Sequence, residues 1–453
     1  MTLLLSLLFV AAALLLVSGL GVGVGAAFLP PDRAFFLERL GWGDALGCAV
    51  LIASVPPALA SGASPRIAFV VLAGVVVAVA GRFRLGLPPA PSDRAAKLPG
   101  VLLVLIAAGV AVYALRALTE PMWANDFIAI WGLKGKTIFL AKSYPERFFT
   151  DASLRYSHPE YPLGLPLLYA GLSFLAGRWD DQALALLFPF LQAATLLVLY
   201  GWLRRRGAAP AAAGLATATV GWFEPLYSGF LTGMAEVPLA FGMLLFGTAP
   251  ADTLDEPDAG APRRLVLASA LLAATKNEGL FLALAGFLIA LAFGKGERWR
   301  AAACTLVPAL FVRALHFPWR SRLLLADLEA RLFSMDRVWD ALAAAGKLPG
   351  PAAWMGLALV VVLIAAGGRV PAGNRLLLLA AVALAAYLVI PSLAVLGPAW
   401  LIETTLRRTA AALVPLLAAA IGVRFTGASS GSGTGLRASA ANPGPPPLST
   451  PAS

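Results

Sequence analysis

Long apolar runs alternate with short polar segments along most of the chain. The runs LLLSLLFVAAALLLV and VLLVLIAAGVAVYAL are apolar on every face of a helix, and many runs approach the roughly 20 residues that span a bilayer. A strand of a membrane barrel would instead alternate apolar and polar residues over about 10 positions. The pattern therefore predicts an all-α polytopic membrane protein with about 11–13 transmembrane helices.

Composition supports this class, since 59% of the residues are hydrophobic, 13% are charged and the mean hydropathy is +0.81. The net charge of +11 comes from basic residues scattered through short loops beside apolar helices, which favours anionic lipid over nucleic acid as the partner. Cys48 and Cys304 lie in apolar runs and form no disulfide framework. The first run, Thr2–Leu29, lacks a basic start and is long for a signal peptide, so we predict a retained helix.

Basic clusters at residues 82–97 and 204–206 mark the predicted cytoplasmic side, where Lys and Arg accumulate. An even number of crossings must separate them, yet three apolar candidates lie between: 99–118, 163–177 and 182–203. The middle candidate is the shortest and contains proline and glycine, so we predict that Leu163–Ala176 lies along the outer membrane surface or re-enters it. The polar segment Thr119–Pro162 is then outside the cytoplasm.

The same rule extends to the remainder of the chain. Predicted helices lie near 208–222, 235–249, 301–315, 352–367, 374–392 and 409–423, and the run 265–294 is predicted to be two helices broken at TKNEG, with the break near the outer side. Predicted loops are Trp222–Glu236, His316–Gly350 and Leu396–Arg408 outside and 250–264 inside; the loop from His316 should contain an amphipathic interfacial helix. The Gly-, Ser- and Pro-rich tail after Arg424 is predicted to be disordered and cytoplasmic.

The outer segment 119–162 contains two candidate groups. In the first, Asp126 beside Asn125 could act as a general base, with Lys134 and Lys136 as charges for a phosphate. The alternative is that Asp126 caps a helix and the lysines meet lipid headgroups. In the second, the candidates are His158, Glu160 and Tyr161. His158 and Glu160 could ligate a metal or carry protons, or the segment could be a structural, proline-shaped loop.

Two further groups lie at predicted outer helix ends. Glu236 meets an apolar run, where an ionisable residue is expensive and needs a compensating role, whereas Glu224 is expected to face water. Lys276 and Glu278 in the TKNEG break form either part of a site or an internal ion pair. Cations at an outer helix end could hold a lipid-linked phosphate or simply reach the membrane interface. The candidates of this kind are Arg407 and Arg408.

Taken in chain order, these segments share a pattern with a known family. They are Asp126 followed by Trp-x-x-Lys-x-Lys, then HPEYPLGLPLL, GMAEVPLAF, TKNEG and TTLRR with a proline seven residues after it. Over roughly residues 100–425 this order resembles the bacterial GT-C membrane glycosyltransferases related to protein mannosyltransferases and the aminoarabinose transferase. The chain departs from them in placing Glu236 where relatives commonly have Asp and Glu160 where many have Pro, which suggests a divergent branch.

The resemblance implies a multi-helix fold whose first outer loop carries the catalytic carboxylate and is followed by surface-lying helices. It also implies a polyprenyl-phosphate-linked sugar as donor, with Asp126 at the position of the family's base. Such a donor has a built-in leaving group, so the enzyme needs cations near the phosphate, here Lys276 and Arg408, and inversion at the anomeric carbon follows from direct attack. No cofactor is implied, and a role for a divalent metal at Asp126, His158 and Glu236 stays open.

The predicted organisation has three parts. They are additional N-terminal transmembrane helices at 1–98, a GT-C-like catalytic membrane domain at 99–424 with its outer loop at 119–162, and the tail at 425–453. The predicted location is the cytoplasmic membrane, with the active site on the outer side. The acceptor is left open among glycan, lipid and protein. Two alternatives remain at this point: a transporter or lipid flippase, and an inactive relative that acts as an assembly partner.

Overall fold

The helical prediction from the apolar runs is confirmed. The computed structural model describes residues 2–24, 36–81, 98–144, 147–255, 260–293, 298–316, 339–340, 343–344, 371–389 and 398–426. Throughout these ranges the regular structure is helical and no strand occurs. An apolar segment in a bilayer favours this outcome, because a helix pairs the backbone N–H and C=O groups within the segment itself.

The described helices follow one another with short connections in the first three quarters of the chain. The first nine are α1 (Thr2–Val24), α2 (Phe36–Ser61), α3 (Pro65–Gly81), α4 (Gly100–Thr119), α5 (Gly132–Ala141), α6 (Arg147–Thr150), α7 (Gly164–Ala176), α8 (Asp181–Leu184) and α9 (Leu187–Arg205). They are followed by α10 (Pro210–Gly221), α11 (Glu236–Asp255), α12 (Ala261–Thr275), α13 (Asn277–Phe293), α14 (Arg298–His316), α15 (Pro371–Val389), α16 (Pro398–Ala411) and α17 (Val414–Gly422).

Six of the described helical segments are long and apolar enough to cross a membrane. They are Leu3–Gly21, Phe36–Ser61, Gly100–Thr119, Asp181–Arg205, Glu236–Leu254 and Thr405–Gly422. Large apolar side chains on α1, α3 and α4 are exposed, among them Leu15, Val70 and Val104, as expected of surfaces that contact lipid. The chain is therefore an α-helical, multi-pass membrane protein, and the larger total of about 11–13 spans stays a prediction.

One continuous apolar core joins the N-terminal helices to the others. Residues buried in this core include Val17 of α1, Val55 of α2, Leu199 of α9 and Leu416 of α17. In pairwise terms, α1 packs on α2 and α7, and α2 also packs on α9. The helices before residue 100 thus pack directly against the predicted catalytic region, and their separate status as a domain stays a prediction.

The short helix α7 is enclosed by protein. Its residues Gly164–Phe174 are all buried, and it packs against α1, α2 and α5. At 13 residues it is about 20 Å long, which is short for a complete crossing. The sequence correctly identified this segment as too short to span, but burial on all sides differs from a helix that lies exposed along a membrane surface.

The break predicted in the run 265–294 is confirmed, because α12 ends at Thr275, Lys276 is extended and α13 begins at Asn277. Two predicted loops are wrong. Most of the inner loop 250–264 is helical, since α11 continues to Asp255 and α12 begins at Ala261. The outer loop Leu396–Arg408 is largely α16, whose residues Leu406, Thr409 and Ala410 are buried at helical spacing.

Several predictions lie outside the described residues. They are the helix near 352–367, most of the outer loop His316–Gly350 with its amphipathic segment, and the tail beyond residue 426. They stay predictions from sequence.

A close approach between α7 and α12 depends on a glycine. A Cβ atom added to Gly164 would overlap the backbone carbonyl oxygen of Ala274, and neither backbone can move freely within the packed core. We expect Gly164→Ala to lower the free energy of unfolding by about 1–3 kcal/mol, measured by thermal unfolding in detergent. Gly74→Ala on α3 is the control, because a Cβ there meets no atom within 4 Å; equal melting temperatures for the two variants would contradict this prediction.

Candidate functional site

Four segments that are far apart in sequence bring charged side chains to one place. Asp126 follows α4 and lies just before the π-helical turn Phe127–Trp131, and Glu236 is the first residue of α11. Lys276 occupies the break between α12 and α13, and Arg408 lies in α16. Such a meeting of ends needs the tertiary fold, because no two of these segments are neighbours along the chain.

The side chains form a row of alternating charge that we call the ionic cluster: Asp126, Arg408, Glu236, Lys276 and Glu278. In that order the separations are 2.9 Å from Asp126 Oδ2 to Arg408 Nη1, 3.4 Å from Arg408 Nε to Glu236 Oε1, 3.3 Å from Glu236 Oε1 to Lys276 Nζ and 3.1 Å from Lys276 Nζ to Glu278 Oε1. Three carboxylates and two cations give the cluster a formal charge of −1. Both cations are shared between carboxylates.

Exposure is graded across the ionic cluster. The side chains of Glu236 and Lys276 are 1% and 5% exposed, whereas those of Asp126 and Arg408 are 21% and 17% exposed. The cluster therefore has a buried side at Glu236 and an open edge at the Asp126–Arg408 pair. A ligand that arrives from solvent meets the open edge first.

Asp126 does not cap a helix. Its backbone is already helical, and its side chain makes no capping hydrogen bond; the carboxylate is instead paired with Arg408. The capping alternative for Asp126 is therefore wrong. Glu236, by contrast, benefits from its position at the first turn of α11, where the positive end of the helix dipole favours an acidic side chain.

Lys276 is held charged in spite of its burial. Burial alone would lower the pKa of Lys276, but the carboxylates of Glu278 and Glu236 reverse this effect and raise it above its usual value. On the other side of the cluster, Glu236 Oε2 is buried and accepts no hydrogen bond from the described residues. Glu236 thus has one oxygen that faces both cations and a second oxygen with unused acceptor capacity.

An aromatic stack lies beside the ionic cluster, formed by Trp131, Tyr161 and His158. The Trp131 and Tyr161 rings are 5.2 Å apart and inclined by 7°, and the Tyr161 and His158 rings are 4.8 Å apart and inclined by 13°. Burial raises the pKa of the Tyr161 phenol, on which the charges of Lys276 and Glu278 also act. Tyr161 therefore links the stack to the cluster, a role the sequence did not indicate.

The end of the aromatic stack is fixed by hydrogen bonds. His158 Nδ1 and Glu160 Oε1 are 2.8 Å apart, and Lys134 Nζ donates to the His158 carbonyl at 2.7 Å. Burial would raise the pKa of Glu160, but the hydrogen bond and charge of His158 hold it below its usual value. Lys134 is fully buried, so neither of its predicted surface roles, toward a phosphate or a lipid headgroup, fits this position.

Arg313 is a residue of this region that sequence reasoning missed. Its Nη2 donates to the Glu160 carbonyl at 2.5 Å and so joins α14 to the segment before α7. A signal was present, because Arg313 is a lone charge within the apolar stretch ALFVRALH, and ionisable residues in such stretches usually have a specific partner.

The buried Lys134 predicts a pH-dependent stability. Burial lowers its pKa from 10.5 to about 7, although Glu160 opposes the change. Between these values the unfolded chain keeps a proton that the folded protein has lost, so the free energy of unfolding should rise with pH by about 1 kcal/mol per unit from about pH 7 to pH 9. Lys134→Met should remove this contribution in unfolding curves measured across that window. Lys136→Met, on the exposed face of the same helix, should keep the slope; a slope unchanged in Lys134→Met would contradict the assignment.

A second charged group, which we call the inner network, lies at the other end of α11. Its members are Glu38, Arg205, Arg206, Asp252 and Arg264. Asp252 is sixteen residues after Glu236 on α11, so the two groups are about 24 Å apart along the helix. This separation agrees with the prediction that the residue 204–206 cluster and the polar segment 119–162 face opposite sides.

The remaining sequence candidates lie apart from these contacts. Asn125, Lys136 and Arg407 are exposed, and their part in substrate binding stays a prediction. Glu224 faces water as expected, with a side chain that is 63% exposed and 3.8 Å from Arg116. Within the described ranges, no three His, Cys, Asp or Glu side chains come together in an arrangement that could hold a metal ion.

Comparison with protein-family models, with curated proteins and with solved structures finds no match to this chain in any of the three.

Proposed function

We propose that the chain is a membrane glycosyltransferase that moves a sugar from a polyprenyl-phosphate-linked donor to an acceptor at the outer face of the cytoplasmic membrane. The observation that carries the proposal is the ionic cluster, in which the candidate base Asp126 and the candidate phosphate ligands Lys276 and Arg408 meet through Glu236. A purely structural network would gain little from this arrangement, because desolvation offsets much of the attraction in buried ion pairs.

The proposed reaction is a single displacement. The acceptor hydroxyl oxygen attacks the anomeric carbon, the new C–O bond forms, and the bond from that carbon to the phosphate oxygen breaks. The electron pair leaves with the polyprenyl phosphate, and the hydroxyl proton passes to the Asp126 carboxylate. Attack opposite the leaving group inverts the anomeric centre. Arg408 and Lys276 stabilise the charge on the departing phosphate, and Glu236 orients both cations from the buried side before the substrate arrives.

A cleft beside the cluster supports a lipid-linked donor. It has a volume of about 270 Å³, runs between α13 and α15, and is lined mainly by apolar side chains such as Phe281 and Leu288. Glu278 of the ionic cluster and Tyr387 also lie in its wall. An apolar chain in this cleft would place its charged end near Lys276. The aromatic stack on the neighbouring side offers the half-exposed His158 ring as a contact for the sugar.

The test is transfer of radiolabelled sugar from a panel of polyprenyl-phosphate donors by membranes that contain the protein and by matched membranes that lack it. Label that reaches a glycan, lipid or protein only when the protein and a donor are both present would support the proposal and identify the acceptor class. Purified protein in vesicles should also be loaded with the same donors. Movement of intact donor across the bilayer without transfer would contradict the proposal and favour the transporter or flippase alternative.

A further inference from the structure

The open edge of the ionic cluster joins the proposed base to a proposed phosphate ligand. Asp126 Oδ2 lies 2.9 Å from Arg408 Nη1. In this arrangement the Arg408 guanidinium occupies the carboxylate that should receive the hydroxyl proton. The carboxylate in turn occupies a donor that should hold the phosphate. The two proposed functions therefore exclude each other until this pair separates.

We propose that the donor phosphate displaces Asp126 from Arg408, so that binding of the donor is the step that frees the base. This inference rests on the proposed function and adds an order of events to it. The exchange makes and breaks no covalent bond: one anion replaces another on the same guanidinium. The Asp126 carboxylate then turns to the acceptor hydroxyl.

The gradient of exposure determines where this exchange takes place. Asp126 and Arg408 are partly exposed, and an ion pair in contact with water contributes little to stability. Glu236 is buried and lies beside Arg408 from the inside, and separating a buried pair is far more costly. A competing anion therefore removes Asp126 and leaves Glu236 in place, which keeps Arg408 positioned.

Arg408 has donors to spare for an incoming phosphate. A guanidinium carries five N–H groups in a plane that suits phosphate oxygens. Arg408 Nη1 contacts Asp126 and, at 3.7 Å, the sulfur of Met234, whereas Arg408 Nε makes no hydrogen bond within the described part of the chain. The phosphate can thus begin to bind before Asp126 has left, so neither charge is stranded during the exchange.

The order of events has a consequence for the chemistry. Without donor, Asp126 stays paired and an acceptor hydroxyl in the site keeps its proton. With donor bound, the base becomes free in the same step that brings the leaving group to Arg408 and Lys276. The ion pair therefore makes proton abstraction depend on the presence of the sugar donor.

The inference predicts an increase in affinity in an inactive variant. Asp126→Asn removes the competitor for Arg408, so a polyprenyl phosphate without sugar should bind about three- to tenfold more tightly than it binds to wild type. Binding is measured by titration of the purified full-length protein in lipid nanodiscs. Glu224→Gln is the matched control, because it removes one carboxylate from an exposed arginine pair elsewhere and should leave the affinity unchanged. Asp126→Ser replaces Asp126→Asn if the latter proves unstable.

The outcomes separate this inference from the function on which it rests. Tighter binding in the Asp126 variant and not in Glu224→Gln supports the displacement. Equal or weaker binding in the Asp126 variant, or an equal gain in the control, overturns the displacement, and sugar transfer by wild type would leave the proposed function standing. If wild type neither binds a polyprenyl phosphate nor transfers sugar from it, the proposed function itself fails.

Discussion

Asp126→Asn should lower the rate of sugar transfer by about 10²–10⁴-fold, the usual range for loss of a general base. An amide has nearly the shape of the carboxylate but cannot accept the hydroxyl proton at neutral pH, so the effect should appear in kcat. The KM for the donor should stay the same or fall, because Arg408 is released from its partner. Initial rates with a radiolabelled polyprenyl-phosphate sugar, at matched protein levels in membranes, give both parameters.

Glu224→Gln serves again as the control, since it removes an exposed carboxylate that is paired with Arg116 and should transfer sugar at the wild-type rate. Melting temperatures of both variants exclude a loss of folded protein as the cause. Transfer by Asp126→Asn at more than a tenth of the wild-type rate would show that another group takes the proton.

The second large effect is expected at the inner network. The side chain of Arg205 makes a two-point contact with Glu38, at 2.8 and 2.9 Å, and also donates to Asp252. Glu38 is fully buried, and Arg205→Ala would leave its charge without this partner. We expect a decrease of about 3–5 kcal/mol in the free energy of unfolding, as for other buried pairs that lose one member, measured by chemical unfolding in detergent.

Two further variants test the cause of this loss. Arg116→Ala removes an arginine from an exposed pair and should cost no more than about 1 kcal/mol. The double variant Arg205→Met with Glu38→Gln removes the stranded charge and should recover a large part of the stability. A loss in Arg205→Ala as small as that in Arg116→Ala would mean that the network contributes little.

The helical class and most helix positions follow from the sequence alone. Apolar runs of bilayer length become helices because lipid offers no partner to the backbone, and this rule locates α4, α10 and the break at Lys276 within a few residues. It fails for α16 and the end of α11, where charged residues suggested loops. These charges are accommodated in helices because Arg408 and Asp252 find partners on other segments, which the local sequence cannot reveal.

The candidate site was predictable as a list of residues and not as an arrangement. Chain order and ionisable residues at helix ends pointed to Asp126, Glu236, Lys276 and Arg408. They did not indicate that Arg408 pairs with Asp126, or that its neighbour Arg407 is exposed. Lys134 was misjudged because its burial depends on contacts with the segment around His158.

The sequence by itself determined that this protein is a bundle of membrane helices with its outer polar residues concentrated in a few segments, because the cost of apolar surface in water and of unpaired backbone in lipid acts locally. Only the tertiary structure decided which charges meet. An ion pair depends on distances of a few ångströms between residues such as Asp126 and Arg408, which are separated by hundreds of positions, and such distances are set by how helices pack rather than by their composition.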